Sequence, residues 1–252
     1  MSRVEVAVVS GSYNRFAKLV PCINSIRRAV GTLSYQIVIA DGGSTDGTVE
    51  FLKKQTDVIL IHGDLNGVVA NYNRCFALTT QEEDPWITIF NDDAEFVGPE
   101  PEVQRAVEFL REHPGVGFVN FATDRYGKWE HLRIHGVCYG NYGVTRREVG
   151  MAVARFQGDP EGKKWWDPKF HSYAADTAFG LTAMHLGWTI HESDWRVHDP
   201  YATQDGEHDP LRMKNNAAYG AEQTRYFMER YGFPSFMAYN RQDAERYGGR
   251  VA

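Results

Sequence analysis

Residues 37–48 read IVIADGGSTDGT. Ile37, Val38, Ile39 and Ala40 follow one another without a polar break, the pattern of a strand covered on both faces. The run stops at Asp41, and glycines, a serine and a second aspartate follow before Thr48. Gly42 and Gly43 allow close backbone approach to a ligand. Asp46 is a residue type that caps helices, and Val49, Phe51 and Leu52 supply the apolar positions of one. A buried strand that ends in a polar glycine turn and leads into a helix is one step of a strand–helix alternation.

Outward from this stretch the same pattern repeats. Residues 4–9, 36–40, 58–61 and 86–90 are short apolar runs rich in Val and Ile. Between the first two, Leu19, Val20, Ile23, Ile26 and Val30 share one helical face, with Pro21 where a first turn tolerates it. A further helix is expected over 69–78. Alternation at this pitch implies a parallel sheet with right-handed crossovers. A fourth helix over 101–112 precedes an apolar run at 116–122. Residues 123–170 are rich in Gly, Tyr, Trp and His without clear period, and read as a long functional loop region. A helix over 177–186, short strands at 188–191 and 195–198, and a helix over 211–231 complete the expectation. One domain is expected over 1–240, with a nucleotide half (1–95) and an acceptor half (96–240), followed by a polar tail at 241–252.

The chain has 252 residues, 42% hydrophobic and 24% charged, which suits one sizeable α/β domain. Its formal net charge of −6 argues against a broad nucleic-acid-coating surface. Cys22, Cys75 and Cys138 are scattered and form no CxxC pair, so neither a disulfide framework nor a thiolate zinc site is expected. A reducing, cytoplasmic location fits. The opening MSRVEVAVVSGSYNR has no long apolar stretch, and no signal peptide or transmembrane segment is expected.

In an open parallel sheet, ligands bind beyond the carboxyl ends of the strands. Four polar segments follow the four expected strands: residues 11–15 (GSYNR), 41–48 (DGGSTDGT), 62–67 (HGDLNG) and 91–95 (NDDAE). Any one of them reads as a turn. Their convergence on one edge marks a site, because turns at the opposite edge would connect the chain equally well.

VVSGSYNR, IVIADGGSTDGTVEFL, the Asn66-Gly67 pair and ITIFNDD together resemble the nucleotide-sugar half of a family 2 glycosyltransferase with the GT-A fold. The usual pattern of that family is PTYNR, then DDGSTDGT, then a DxD-type motif. The resemblance is good over residues 4–96 and looser through WWDPKFHSYAADTAFGLTAMHLGWTI (165–190). It implies an α/β fold with a mainly parallel sheet flanked by helices and an irregular acceptor-side half. It also implies a UDP-, GDP- or dTDP-sugar donor.

A diphosphate leaving group needs its charge screened, and a hard divalent ion with oxygen ligands does this. The resemblance makes Asp93 the direct ligand of Mn2+ or Mg2+. Asn91 stands where the first Asp is usual, so its role is through water or toward the ribose. Asp92 bonds the ribose or braces the loop. Asp41 accepts a hydrogen bond from the base, with Gly43 beside it for close backbone approach. Gly11, Ser12 and Tyr13 line the base and ribose pocket, Arg15 approaches the nucleotide, and Asn66 is a further contact.

His198 matches a late metal-bound histidine, which tilts preference toward manganese; His191 and His208 are its rivals. Asp176 matches the catalytic base, and Ala175 replaces the usual Glu beside it. Trp129, Tyr139, Tyr142, Trp165 and Trp166 are candidates to stack on sugar faces. Tyr142, Thr145, Arg146 and Arg147 lie where the family closes over the donor.

The activity so implied is metal-dependent, inverting transfer of a hexosyl or pentosyl group to an acceptor hydroxyl. The acceptor can be a glycan, a small molecule, a protein or a modified nucleobase. A retaining transferase on the same fold stays open, as does a catalytically idle sugar-nucleotide or glycan-binding module, for which Ala175 and Asn91 speak. STDGT also resembles part of the DxDGT of aspartyl-phosphate phosphatases, but Ser44 stands where the nucleophile belongs.

Overall fold

The computed structural model describes residues 4–64, 66–79, 86–124, 128–131, 133–134, 137–138, 141–172, 174–199 and 210–232. The expected tail at 241–252, His208 and Tyr139 lie outside these residues. The first half alternates as read: β1 (Val6–Ser12), α1 (Phe16–Ala29), β2 (Tyr35–Asp41), α2 (Thr48–Leu52), β3 (Val58–His62), α3 (Val68–Thr79) and β4 (Trp86–Ile89). Then come β5 (Glu95–Phe96), α4 (Glu102–Glu112), β6 (Val116–Thr123), β7 (Arg133–Ile134), β8 (Val137–Cys138), β9 (Gly143–Arg146), α5 (Arg147–Phe156), α6 (Ala175–His185), β10 (Thr189–His198) and α7 (Pro210–Tyr231).

One eight-stranded sheet has the order β3-β2-β1-β4-β9-β6-β10-β5, and β7 and β8 pair separately. From β3 to β4 every pairing is parallel. Beyond β4 the sheet is mixed: β9 runs antiparallel to both β4 and β6, β6 and β10 are parallel, and β5 closes the edge antiparallel to β10. The sheet therefore crosses from the donor half into the acceptor half without a break.

Side chains alternate across it, as a period of two requires. Val6, Val8, Ile37, Ile39 and Trp86 face one core, built with Leu19, Ile23 and Ile26 of α1 and Val103, Val107 and Leu110 of α4. Ala7, Val9, Val38, Ala40, Ile87 and Ile89 face the other, with Tyr72, Cys75 and Phe76 of α3, Val149 and Val153 of α5, Phe179 of α6 and Phe227 of α7. Burial on both faces explains the unbroken apolar runs that marked these strands. Cys22 and Cys75 are buried free thiols within these layers.

Several expectations need correction. α1 starts at Phe16, so Pro21 is inside the helix and not in its first turn. Asp46 explains the early start: its Oδ2 accepts the Phe16 backbone N–H at 2.9 Å, while Oδ1 accepts the Thr48 N–H at 3.1 Å and the Thr48 hydroxyl at 2.6 Å. One carboxylate thus satisfies the first turns of two helices. The region 123–170 is not a long loop, since it contains β9 and α5. The two short strands expected at 188–191 and 195–198 are a single strand with a register shift between Glu192 and Arg196. There Ser193 is buried and donates to Asn120 O at 2.9 Å.

An ion pair fastens α1 to the start of β3. Arg27 meets Asp57 at 2.9 and 2.7 Å, and the Tyr35 hydroxyl donates to the same carboxylate at 2.9 Å. The Arg27 hydrogen bond is the largest cause that holds the Asp57 carboxyl below its usual range; partial burial opposes it and Tyr35 assists. A depressed folded-state pKa stabilises the fold above the unfolded value near 4 and loses that contribution as pH falls through the folded value. Asp57→Asn is expected to cost about 1 kcal/mol at pH 7, since the pair is part-exposed, and to cost less at pH 3. Urea denaturation at both pH values checks this; an equal cost at both would show that the charge is irrelevant.

Candidate active site

The parallel register sets Ser12 beside Asp41 and Asp41 beside His62. These three residues form one row at the carboxyl edge of β1, β2 and β3. Asp41 is fully buried. Its Oδ1 accepts the backbone N–H groups of Gly43 and Ser44 and lies 3.0 Å from His62 Nδ1, while the Ser44 hydroxyl donates to Oδ2. Ser44 Oγ in turn accepts the Asn14 N–H at 2.8 Å, and Asn14 Oδ1 accepts the Thr45 N–H at 2.8 Å. The loops after β1 and β2 are therefore stapled together, with Asp41 as the anchor. Gly43 has φ +88, which suits a residue without a Cβ.

Beside this row a cavity of about 260 Å³ opens. Gly11, Ser12, Tyr13 and Arg15 line one side, with Asp92 from the turn after β4. Gly67, Val68 and Asn71 come from the start of α3, and His171 from the loop before α6. Lys214, Asn215, Ala218 and Tyr219 of α7 form the remaining wall. Gly67 has φ +92, and a methyl group there would meet the His171 ring and its carbonyl oxygen at 2.6–2.8 Å. The His171 ring stacks on Tyr219 at 3.8 Å. Gln223 Oε1 accepts the N–H groups of His171 and Ser172 at 2.9 and 3.0 Å, and the Tyr226 hydroxyl donates to Asp167 at 2.5 Å. Helix α7 is thereby fixed over the cavity.

The acids after β4 divide. Asp92 faces the cavity, and its carboxyl is pushed up to about 7, first by burial and then by the charge of Asp93, against the pull of Arg15 and Ser12. The same two charges help push the buried Cys22 thiol and Tyr72 hydroxyl up, after burial itself. This edge carries a concentrated negative field next to a cationic side chain. Asn91 is held differently. Its Oδ1 lies 3.1 Å from the Tyr72 hydroxyl and 3.2 Å from Asn141 Nδ2, and its Nδ2 donates to the Tyr142 hydroxyl at 2.5 Å. An aspartate there could keep the last contact only with the Tyr142 hydroxyl as the donor.

Of the residues singled out in the sequence, Gly11, Ser12, Tyr13, Arg15 and Asp92 meet around the cavity. Asp41, Gly43, Asn91, Asp93, Asp176 and His198 do not line it, and Asn66 is exposed next to the lining residue Gly67. Asp176 lies in the first turn of α6, where Ala174 and not Asp176 is the N-cap. Its Oδ1 accepts the Thr177 N–H at 2.8 Å. His198 pairs with Glu95 across β10 and β5, two residues beyond Asp93. Its Nδ1 lies 2.7 Å from Asp124 Oδ2, and Asp124 Oδ1 accepts the Asp199 N–H at 2.8 Å. A carboxylate on one ring nitrogen orients the other outward, as in metal-bound histidines.

Carboxylate oxygen suits Mn2+ or Mg2+ and imidazole tilts the choice toward Mn2+, so these donor types fit a divalent ion. Among the described residues no group of three such side chains stands ready to hold one. His191 lies near the amino end of β10, seven residues before His198, and stacks on Phe109 at 4.0 Å.

Three of the aromatic candidates for sugar stacking are corrected: Tyr142, Trp165 and Trp166 are core residues. Trp129 stays exposed, with the Arg196 guanidinium 5.1 Å from its ring. Thr145, Arg146 and Arg147 do not close over a donor. Because β9 runs antiparallel to β4, Arg146 pairs with Trp86 at the amino end of that strand. Its guanidinium binds Val116 O, Leu110 O and His113 O. Asn71, His171 and α7 were missed. An amide inside a helix carries no local mark of a ligand, and only the glycine at 67 hinted at the close packing there.

Three non-glycine residues have positive φ among the described ones: Asn14 (51°), Tyr142 (50°) and Ala174 (66°). Asn14 staples the two loops, Tyr142 bonds Asn91, and Ala174 precedes Asp176 by two positions. Left-handed backbone costs about 1–3 kcal/mol per residue and gathers where structure is held for a purpose.

A parallel half-sheet with a cavity beyond its carboxyl ends, joined to a mixed half-sheet, is the architecture of the GT-A glycosyltransferases. The profile of Glycosyl transferase family 2 matches residues 7–179, and the chain belongs to that family. Among solved structures it is similar to the mannosyltransferase PcManGT from Pyrobaculum calidifontis, solved with GDP-Man and Mn2+, at 15% identity and a TM-score of 0.60. That match covers 89% of this chain and 65% of that one, slightly under two thirds. S. aureus TarS 1–349 matches at 13% identity and a TM-score of 0.58, over 89% of this chain and 74% of that one. The same fragment in complex with UDP matches at 14% and 0.57, over 97% and 78%. No curated protein sequence matches significantly. Among the described residues no helix is long and apolar enough to cross a membrane.

Proposed function

We propose that this protein transfers a sugar from a nucleoside-diphosphate donor to an acceptor hydroxyl, with a divalent metal ion and with inversion at the anomeric carbon. The observation that carries this reading is the cavity at the carboxyl edge, where Ser12, Arg15 and Asp92 meet under α7. PcManGT and TarS, similar in fold, were solved with GDP-Man and Mn2+ and with UDP. Asp93 and His198 would hold the metal, which supplies positive charge against the diphosphate. Arg15 and Lys214 are further cations facing the cavity.

Asp176 takes the proton of the acceptor hydroxyl as that oxygen bonds to the anomeric carbon. The bond from that carbon to the diphosphate oxygen breaks, and its electron pair leaves with the nucleoside diphosphate. A single carboxylate suffices because the leaving group departs as an already ionised phosphate.

Thermal shift with UDP, GDP, dTDP, CMP and their sugars, with and without Mn2+, tests the donor site. A ligand at 100 times its Kd adds about 2.7 kcal/mol, or about 5–11 °C for a chain of this size. A manganese-dependent shift with one nucleoside diphosphate is expected. The absence of any shift would turn the reading toward a catalytically idle module. The anomeric configuration of the product, read by NMR, separates inversion from retention.

A further inference from the structure

We propose that Asn71 is the residue that reads the base of the donor nucleotide, in the place that the family resemblance gives to Asp41. The inference rests on the nucleotide-sugar reading above and deepens it. Asn71 is in the first turn of α3, and its backbone N–H bonds Gly67 O at 3.2 Å. Its side chain is 3% exposed and lines the cavity. Oδ1 is buried and has no hydrogen-bond partner among the described residues. Nearly all buried polar groups in native proteins are paired, so an unpaired amide oxygen in a cavity wall is a group that awaits a ligand. Gly11 makes the placement possible: a Cβ there would come within 3.3 Å of the Asn71 Cβ.

Asp41 is the wrong group for this task in this chain. It is 0% exposed and does not line the cavity. Two backbone N–H groups, the Ser44 hydroxyl and His62 already surround its two oxygens. Three of these partners are on Oδ1 and the Ser44 hydroxyl is on Oδ2, and burial keeps the position left on Oδ2 away from the cavity.

The deeply placed atom of Asn71 is an acceptor, and what it needs is a donor. The polar edge of a nucleobase supplies an N–H beside a carbonyl or ring acceptor, which the two ends of an amide match together. The phosphates of the donor carry no such group.

The test measures Kd for UDP, GDP, CDP, ADP and inorganic pyrophosphate on the wild-type chain, Asn71→Ala and Asn71→Asp. The wild type is expected to rank the four nucleotides. Asn71→Ala should weaken the preferred one tenfold or more and flatten the ranking, with pyrophosphate unchanged. Asn71→Asp is the isosteric control for folding: it keeps an acceptor for the N–H and repels the neighbouring base acceptor, so the ranking should change again. If both variants keep the wild-type ranking, or lose all five ligands equally, Asn71 does not read the base although the donor site stands. If the wild type binds none of them, the donor reading falls and takes this inference with it.

Discussion

Asp176→Asn is expected to lower sugar transfer by about a thousandfold while nucleotide binding and thermal stability stay as they were. A positioned general base is worth about a hundred- to ten-thousandfold, and an amide of the same shape cannot take a proton at neutral pH. The exchange separates two roles that one carboxylate can combine. The Thr177 N–H that Asp176 Oδ1 accepts at 2.8 Å can equally be accepted by the Asn carbonyl. The backbone turn at Ala174 is untouched. A purely structural Asp176 would therefore let the variant work within a few-fold of the wild type, and that result would remove it from the mechanism. The assay is single-turnover transfer with saturating donor, beside a denaturation curve for both proteins.

Gly150→Ala is expected to cost about 3 kcal/mol of stability, a fall in Tm of about 6–12 °C. Two effects oppose each other. In a helix interior alanine is better than glycine by about 1 kcal/mol. Against this, a methyl group on Gly150 would overlap the ring-fusion edge of the Trp165 indole. Trp165 cannot step aside. It is fully buried, stacked on Phe76 at 4.7 Å and parallel to Phe179 at 6.4 Å. Relief would require α5 to move off the sheet, so overpacking wins. A variant with unchanged or raised Tm would mean that α5 is free to shift.

These two residues also mark the limits of what could be read from the chain. The donor half was legible because β1, β2 and β4 are buried on both faces and each strand from β1 to β4 ends in a polar turn. Composition alone therefore marked both the strands and the edge where they open. The edge β5, with two residues, is too short for any pattern. β9 is a four-residue strand wedged between β4 and β6, and GVTR has no alternation to betray it. In α5 the apolar Val149, Val153 and Ala154 are interrupted by a glycine whose cause lies at Trp165, in a different loop. The aromatic residues there suggested sugar stacking, yet burial at a layer interface accounts for them.

The site divided in the same way. Ser12 ends β1, Arg15 and Asp92 lie three residues past the ends of β1 and β4, and all three were found by position. Asn71 and Tyr219 reach the cavity from helices, where the periodicity that predicts a helix says nothing of which polar residue faces inward.

The profile of the family ends at residue 179, whereas one wall of the cavity is built by α7, from residue 210 onward. Synthesis runs from the amino end, so all eight strands of the sheet are available before that wall exists. A nascent chain held at the ribosome with α7 still in the exit tunnel would have its pleated scaffold and a binding site open on one side. Ligand capture would then be the last competence the protein acquires. A nucleotide added during translation is therefore expected to stabilise the chain only after that helix emerges.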